Sequence, residues 1–128
     1  MPNKPVNTNN APAPIGPYSQ AVRCGSMLFI SGQIALVPGS DNLSNQNITE
    51  ETRQVMNNLK AILNESEMDF ADVVKTSIFL SDMSLFAEVN EEYAKYFTGN
   101  YPARETVAVK GLPKNVNVEI SMIASREK

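Results

Sequence analysis

The chain has 128 residues, 42% of them hydrophobic and 20% charged, which is the size and composition of one ordinary globular domain with enough apolar mass for a core. Its net charge is −3, and an acidic chain without a Lys/Arg cluster lacks the electrostatic footprint that a phosphate backbone demands, so nucleic-acid binding is disfavoured. With no histidine and a single cysteine, Cys24, Ser-His and Cys-His nucleophiles, the commonest zinc ligand and an intrachain disulfide are all excluded.

Residues 1–14 are rich in Asn and Pro and show no periodicity; the first twelve are expected to be an extended arm on a single domain spanning 1–128. No charged-then-apolar leader opens the chain and no apolar run is long enough for a bilayer, so a cytoplasmic location with no membrane partner is expected. A hairpin follows, with strands at 18–23 and 27–34 around a Gly25-Ser26 turn. Residues 38–47 carry Pro, Gly, Ser and Asn and read as a loop.

Thr49 is placed to cap a helix whose first turn holds Glu50 and Glu51, and Val55, Leu59, Ile62 and Leu63 recur at the spacing of one buried face. Residues 73–80 are β-rich. Ser81 and Asp82 can cap a second helix with the apolar stripe Phe86, Val89, Tyr93 and Phe97, stopped by Gly99. Strands at 105–109 and 116–124 close the chain. The order β-β-α-β-α-β-β is an α+β domain with both helices on one face of a sheet. Met27–Ile30 and Ile78–Leu80 are apolar on both sides of their strands, whereas a sheet with one solvated face alternates. A second copy of the chain is the expected cover.

The last two strands draw the chemistry together. Arg104 stands just before one of them and Glu119 within the other; as adjacent antiparallel strands they would bring a cation and a carboxylate to one pocket. A guanidinium grips a carboxylate bidentately at any working pH, and a carboxylate can move protons. On residue type alone, a surface or interface ion pair is the commoner reading of Arg104 and a plain solvated strand face that of Glu119.

The motifs Ala13-Pro14-Ile15-Gly16-Pro17-Tyr18-Ser19-Gln20, Ile30-Ser31-Gly32-Gln33-Ile34 and Pro102-Ala103-Arg104, followed by Leu112-Pro113-Lys114 and Val118-Glu119-Ile120, resemble the reactive intermediate deaminase (Rid, or YjgF-like) family. The resemblance spans about residues 11–125. It implies a chorismate-mutase-like fold assembled as a homotrimer, with the sheets forming a barrel and three clefts between subunits. It further implies cofactor-free and metal-free hydrolysis of 2-imino acids, such as 2-iminopropionate and 2-iminobutyrate, to 2-keto acids and ammonia, as metabolite damage control.

By the same resemblance, Arg104 clamps the substrate carboxylate and Glu119 holds and activates the attacking water. Tyr18 packs over the substrate, Ser31 and Gly32 give the strand edge that lines the pocket, and Asn90 lies near the cleft. Thr106 stands where many members carry a cysteine; a hydroxyl still holds a water but is far less acidic than a thiol. Glu105 is also unusual, though strand alternation is expected to turn it away from Arg104. A non-catalytic trimer that holds small carboxylates in the same clefts is the alternative, since it needs Arg104 but not Glu119. A mutase acting on a dicarboxylate would want more cations than Arg23, Arg53, Arg104 and Arg126 provide, and a ribonuclease suits neither the charge nor the missing histidine.

Overall fold

A computed structural model describes residues 3–127 of the chain. Its elements, in chain order, are β1 (Lys4–Val6), β2 (Ala21–Cys24), β3 (Met27–Gln33), α1 (Ile48–Glu65), β4 (Val73–Leu80), α2 (Phe86–Ala94), β5 (Ala103–Ala108) and β6 (Val118–Ser125). The five expected strands and two helices are present in the expected order. The sixth strand, β1, comes from the segment read as an arm: Lys4, Pro5 and Val6 pair with Arg23, Val22 and Ala21. An Asn/Pro-rich stretch hides such a strand because a short edge strand needs backbone pairing and no apolar pattern.

Local chemistry sets the boundaries. The helix α1 starts two residues earlier than Thr49 would place it, because Asn47 is the N-cap and its Oδ1 accepts from Glu50 N at 2.8 Å. Asp82 caps a short 3-10 turn, Met83–Leu85, that leads into α2. That helix ends at Ala94, well before Gly99, which takes φ +116° in the following loop. The first hairpin strand begins at Ala21, leaving Tyr18 and Ser19 in a loop. The turn after it holds Gly25 at φ +59°, a conformation that favours glycine.

Both helices cover one face of the sheet. Val55, Leu59, Ile62 and Leu63 of α1 are fully buried, with Ile78, Leu80, Val118 and Ile120 of β4 and β6 in the same core. Each such side chain stabilises the fold by about 1.5–3 kcal/mol, and truncating Leu59 to Ala would cost about 2–5 kcal/mol. Burial alternates along β6: Val118, Ile120, Met122 and Ala124 are buried, and the residues between them are half-exposed. A buried carboxylate fixes where this strand begins. Glu51, in the first turn of α1, accepts from Asn117 N at 2.8 Å, Asn117 Nδ2 at 3.0 Å and Val118 N at 3.3 Å.

The sheet order is β1-β2-β3-β6-β4-β5, with every pair antiparallel except β4 and β5. This corrects one expectation. The strands bearing Arg104 and Glu119 are not neighbours, because β4 lies between them and pairs parallel with β5. A β-strand, helix and parallel β-strand form a crossover unit, so α2 carries the chain back over the sheet before β5 begins.

The face away from the helices is apolar in part, as the unalternating strands indicated. Phe29 is 45% exposed and Val107 43% exposed. Phe29 stands opposite Ile123, and Phe79 opposite both Val107 and Glu119. Cross-strand partners share a face, so these side chains form one patch on the uncovered side.

Candidate active site

Glu119 sits in the middle of the sheet, on the uncovered face. Its carboxylate is half-buried and has no hydrogen-bond partner among the described residues. Burial alone pushes its pKa above the ordinary value of 4.5, because desolvation penalises the charged form. The carboxylate lies directly on the backbone of Gly32: a Cβ built there would stand 2.8 Å from Glu119 Cδ and still closer to Oε2. Glycine is therefore required at 32 for the carboxylate to occupy this place.

The pocket around Glu119 has a cavity of about 320 Å³, and Tyr18, Ser31 and Gly32 line it. Tyr18 is 47% exposed at the mouth. Ser31 is held rather than free: its Oγ donates to Ser19 O at 2.7 Å and its N–H to Gln20 O at 2.9 Å. It thus contributes a fixed strand edge. Four of the expected site residues meet here.

Arg104 lies elsewhere. It pairs in register with Thr76, which is fully buried under the helices, so Arg104 points to the helix face. There its NH1 donates to Asn90 Oδ1 at 2.6 Å. The guanidinium carbon sits 5.6 Å from the ring centre of Phe86 and 5.2 Å from that of Tyr93, close enough for cation–π attraction to both. Tyr93 is itself pinned, its OH donating to Thr76 Oγ1 at 3.0 Å. No carboxylate pairs with Arg104 among the described residues. An aromatic cage thus orients the guanidinium while leaving its charge unneutralised, which is what an anion clamp requires.

Thr106 lies two residues on, in register with the buried Ile78, and so shares the helix face with Arg104. Among the described residues its Oγ1 is buried without a hydrogen-bond partner, an orphaned hydroxyl that a water or ligand atom would satisfy. Glu105 turns the other way, as alternation requires, and bonds Ser77 Oγ at 2.6 Å and Lys75 Nζ at 3.2 Å. It does not compete for Arg104.

Within one chain, then, the expected residues form two clusters on opposite faces. Arg104 shares a row with Met122 across β4, three residues along β6 from Glu119. The two are therefore roughly 10 Å apart across the strands and roughly 10 Å along them. Sequence reasoning assigned Phe86 and Tyr93 to the core stripe of α2 and missed their part in the site. Phe86, Asn90 and Tyr93 recur at i, i+4 and i+7, one helix face, so the signal was present once Asn90 was suspected. Phe86 is 36% exposed and belongs to Arg104 more than to the core.

A family model described as Endoribonuclease L-PSP matches residues 8–126. A RutC family protein of Pyrococcus horikoshii is 48% identical over 122 residues, which cover 95% of this chain and 97% of the relative. The mouse protein named 2-iminobutanoate/2-iminopropanoate deaminase is 46% identical over 94% of this chain and 90% of its own length. The Arabidopsis thaliana protein named Reactive Intermediate Deaminase A is 43% identical over 94% of this chain and 64% of its own length. Among solved structures, one described as a putative endoribonuclease from Thermotoga maritima superposes with a TM-score of 0.94 at 47% identity, covering 98% of each chain.

Proposed function

The chain belongs to the reactive intermediate deaminase family, the family of the Endoribonuclease L-PSP model, and from that membership we propose that it hydrolyses small 2-imino acids to 2-keto acids and ammonia. The mouse relative's name supplies 2-iminobutanoate and 2-iminopropanoate as the substrates to test. The observation that carries the reading is Glu119: a carboxylate made more basic by burial, held against Gly32 in a pocket and without a hydrogen-bond partner among the described residues.

The chemistry asks little more than that. A protonated imine is already electrophilic at C2, so a positioned water and a base suffice. Glu119 takes a proton as the water oxygen adds to C2, giving a tetrahedral carbinolamine. It returns that proton to the nitrogen, and as the C–N bond breaks the freed carboxylate takes the hydroxyl proton, so that ammonia leaves and the 2-keto acid remains. Arg104 binds the substrate carboxylate through two parallel donors.

One copy cannot seat one substrate on both groups, since they lie on opposite faces of its sheet. Each site would therefore join Glu119, Tyr18, Ser31 and Gly32 of one copy to Arg104, Asn90 and Thr106 of the next. A homotrimer, with the patch of Phe29, Phe79, Val107 and Ile123 turned inward, provides three such clefts and covers the apolar face.

The test follows decay of enzymatically generated 2-iminopropionate and 2-iminobutyrate by semicarbazide trapping, with Arg104→Ala and Glu119→Gln beside wild type. Faster decay with wild type and background rates with both variants support the deaminase. Wild-type decay no faster than buffer rejects it. Retained turnover in Glu119→Gln would keep the deaminase and remove Glu119 as its base.

A further inference from the structure

The segment before β2 has a task that its composition conceals. Pro12, Ala13 and Ile15 line the same cavity as Glu119. Little secondary structure holds them there, since β1 contributes three residue pairs at the outer edge of the sheet. Ala11 packs into the core, and Ile15 N donates to Tyr18 Oη at 3.4 Å, but one amide makes most of the hydrogen bonds to the segment's backbone. Gln20 is 2% exposed, and its Oε1 accepts from Thr8 N at 2.7 Å. Its Nε2 donates to Thr8 O at 3.0 Å and Pro12 O at 2.9 Å, with Ala11 O at 3.4 Å. Both Nε2 hydrogens are spent on backbone carbonyls, so Gln20 is occupied as a fastener and offers a ligand no donor. The same residue's carbonyl accepts from Ser31 N at 2.9 Å. A single residue therefore ties the segment to the strand that carries Gly32.

We propose that Gln20 is a positioning residue, holding residues 8–15 as a wall of the Glu119 pocket, and that this wall receives the substrate's side chain. The part of the wall that lines the cavity, Pro12, Ala13 and Ile15, is apolar and carries no charge to pair with a charged substituent. It suits aliphatic side chains, and its contact area with them grows with their length. This rests on the deaminase reading, whose substrates share an identical head group and differ only in that side chain.

Gln20→Met keeps the size and removes every side-chain hydrogen bond, freeing the wall. With 2-iminopropionate and the longer 2-imino-4-methylpentanoate as substrates, the variant should raise KM for the longer imine by about tenfold. KM for the shorter should change by less than about threefold, with both kcat values within about twofold of wild type. Amide exchange at Thr8 should quicken. Ile15→Ala trims the wall without touching the fastener and should move the KM ratio in the same direction, which decides the matter if Gln20→Met does not fold. A KM ratio unchanged in a folded variant, or a loss confined to kcat, overturns the proposal. If wild type turns over neither imine, the deaminase reading fails, and the wall is judged by calorimetric affinities for pyruvate and 4-methyl-2-oxopentanoate. Loss of preference for the longer acid in the variants supports the wall; an unchanged preference rejects it.

Discussion

The Glu119 carboxylate occupies the space that any side chain on Gly32 would need, with Glu119 Cδ 2.8 Å from where the Cβ would stand. Strands β3 and β6 are adjacent but their register shifts between Ile30 and Gln33. Gly32 lies within that irregularity, where the regular pairing of the two strands is interrupted. The carboxylate and the glycine are thus one device. Gly32→Ala should keep the fold, because the flexible Glu119 side chain can swing aside, yet lose the base. We expect kcat for imine hydrolysis to fall by at least about 100-fold, about 2.7 kcal/mol of transition-state stabilisation, with KM little changed. Steady-state kinetics check this, and an unimpaired Gly32→Ala would reject the placement of Glu119.

Glu119 should also show opposed effects on stability and activity. Its folded pKa lies above the ordinary value because burial penalises the ionised form. The stability it contributes is therefore present below pH 4.5 and is lost as pH rises through the raised folded value. At pH 7 the charge opposes folding, softened by partial solvent exposure. Glu119→Gln should accordingly raise Tm at pH 7 by roughly 1–3 °C at fixed protein concentration, and the gain should vanish near pH 4. Thermal scans at the two pH values read this directly. The wild-type pH–rate profile should fall on the acid side through a pKa above 4.5.

Arg104 is expected to act through binding. Arg104→Ala should raise KM for 2-iminopropionate by at least about 100-fold, the loss of a charge-assisted bidentate pair of about 3 kcal/mol. Arg104→Lys should recover only part of this, because a single ammonium lacks the planar fork and the stacking that Phe86 and Tyr93 provide. Equal activity of Lys and Arg at 104 would remove the clamp from the account.

Because Arg104 and Glu119 face opposite sides of one sheet, two inactive variants should complement each other. Mixed assemblies of Arg104→Ala and Glu119→Gln, refolded together, contain clefts in which both native residues meet. Activity should return to about a quarter of wild type with random mixing of copies, since each shared site draws its two halves independently. Mixtures as inactive as their components would show that each site lies within one chain.

Thr106 offers a smaller test. Its orphaned, buried Oγ1 costs stability that an isosteric methyl does not, about 1–3 kcal/mol. Thr106→Val should therefore be at least as stable as wild type by denaturant unfolding. If the hydroxyl steadies a water in the site, imine turnover should drop by less than about tenfold.

Much of the fold was legible because it is written in local terms. The stripe Val55, Leu59, Ile62 and Leu63 fixes the face of α1, and alternation along β6 separates Val118 and Ile120 from Glu119. Alternation also placed Glu105 away from Arg104, where Ser77 and Lys75 now hold it. The unalternating apolar residues of β3 and β4 foretold a second apolar face, seen in Phe29 and Val107. Features depending on one side chain's choice of partner were not legible. Asn47 rather than Thr49 caps α1, and Gln20 rather than any sequence pattern fastens the N-terminal segment.

By itself the sequence determined the order of the elements from β2 onward, the buried side of the long ones and the residue types available for chemistry, since helix and strand periods are set by neighbours within a few positions. Only the tertiary structure decided which strands touch. The crossover through α2 docks β5 on one edge of β4 while β6 takes the other, a choice made by long-range backbone pairing that no local pattern encodes. That choice sets β4 between Arg104 and Glu119, whose side chains face opposite sides of the sheet, so the cation and carboxylate expected in one pocket of adjacent strands stand in two clusters.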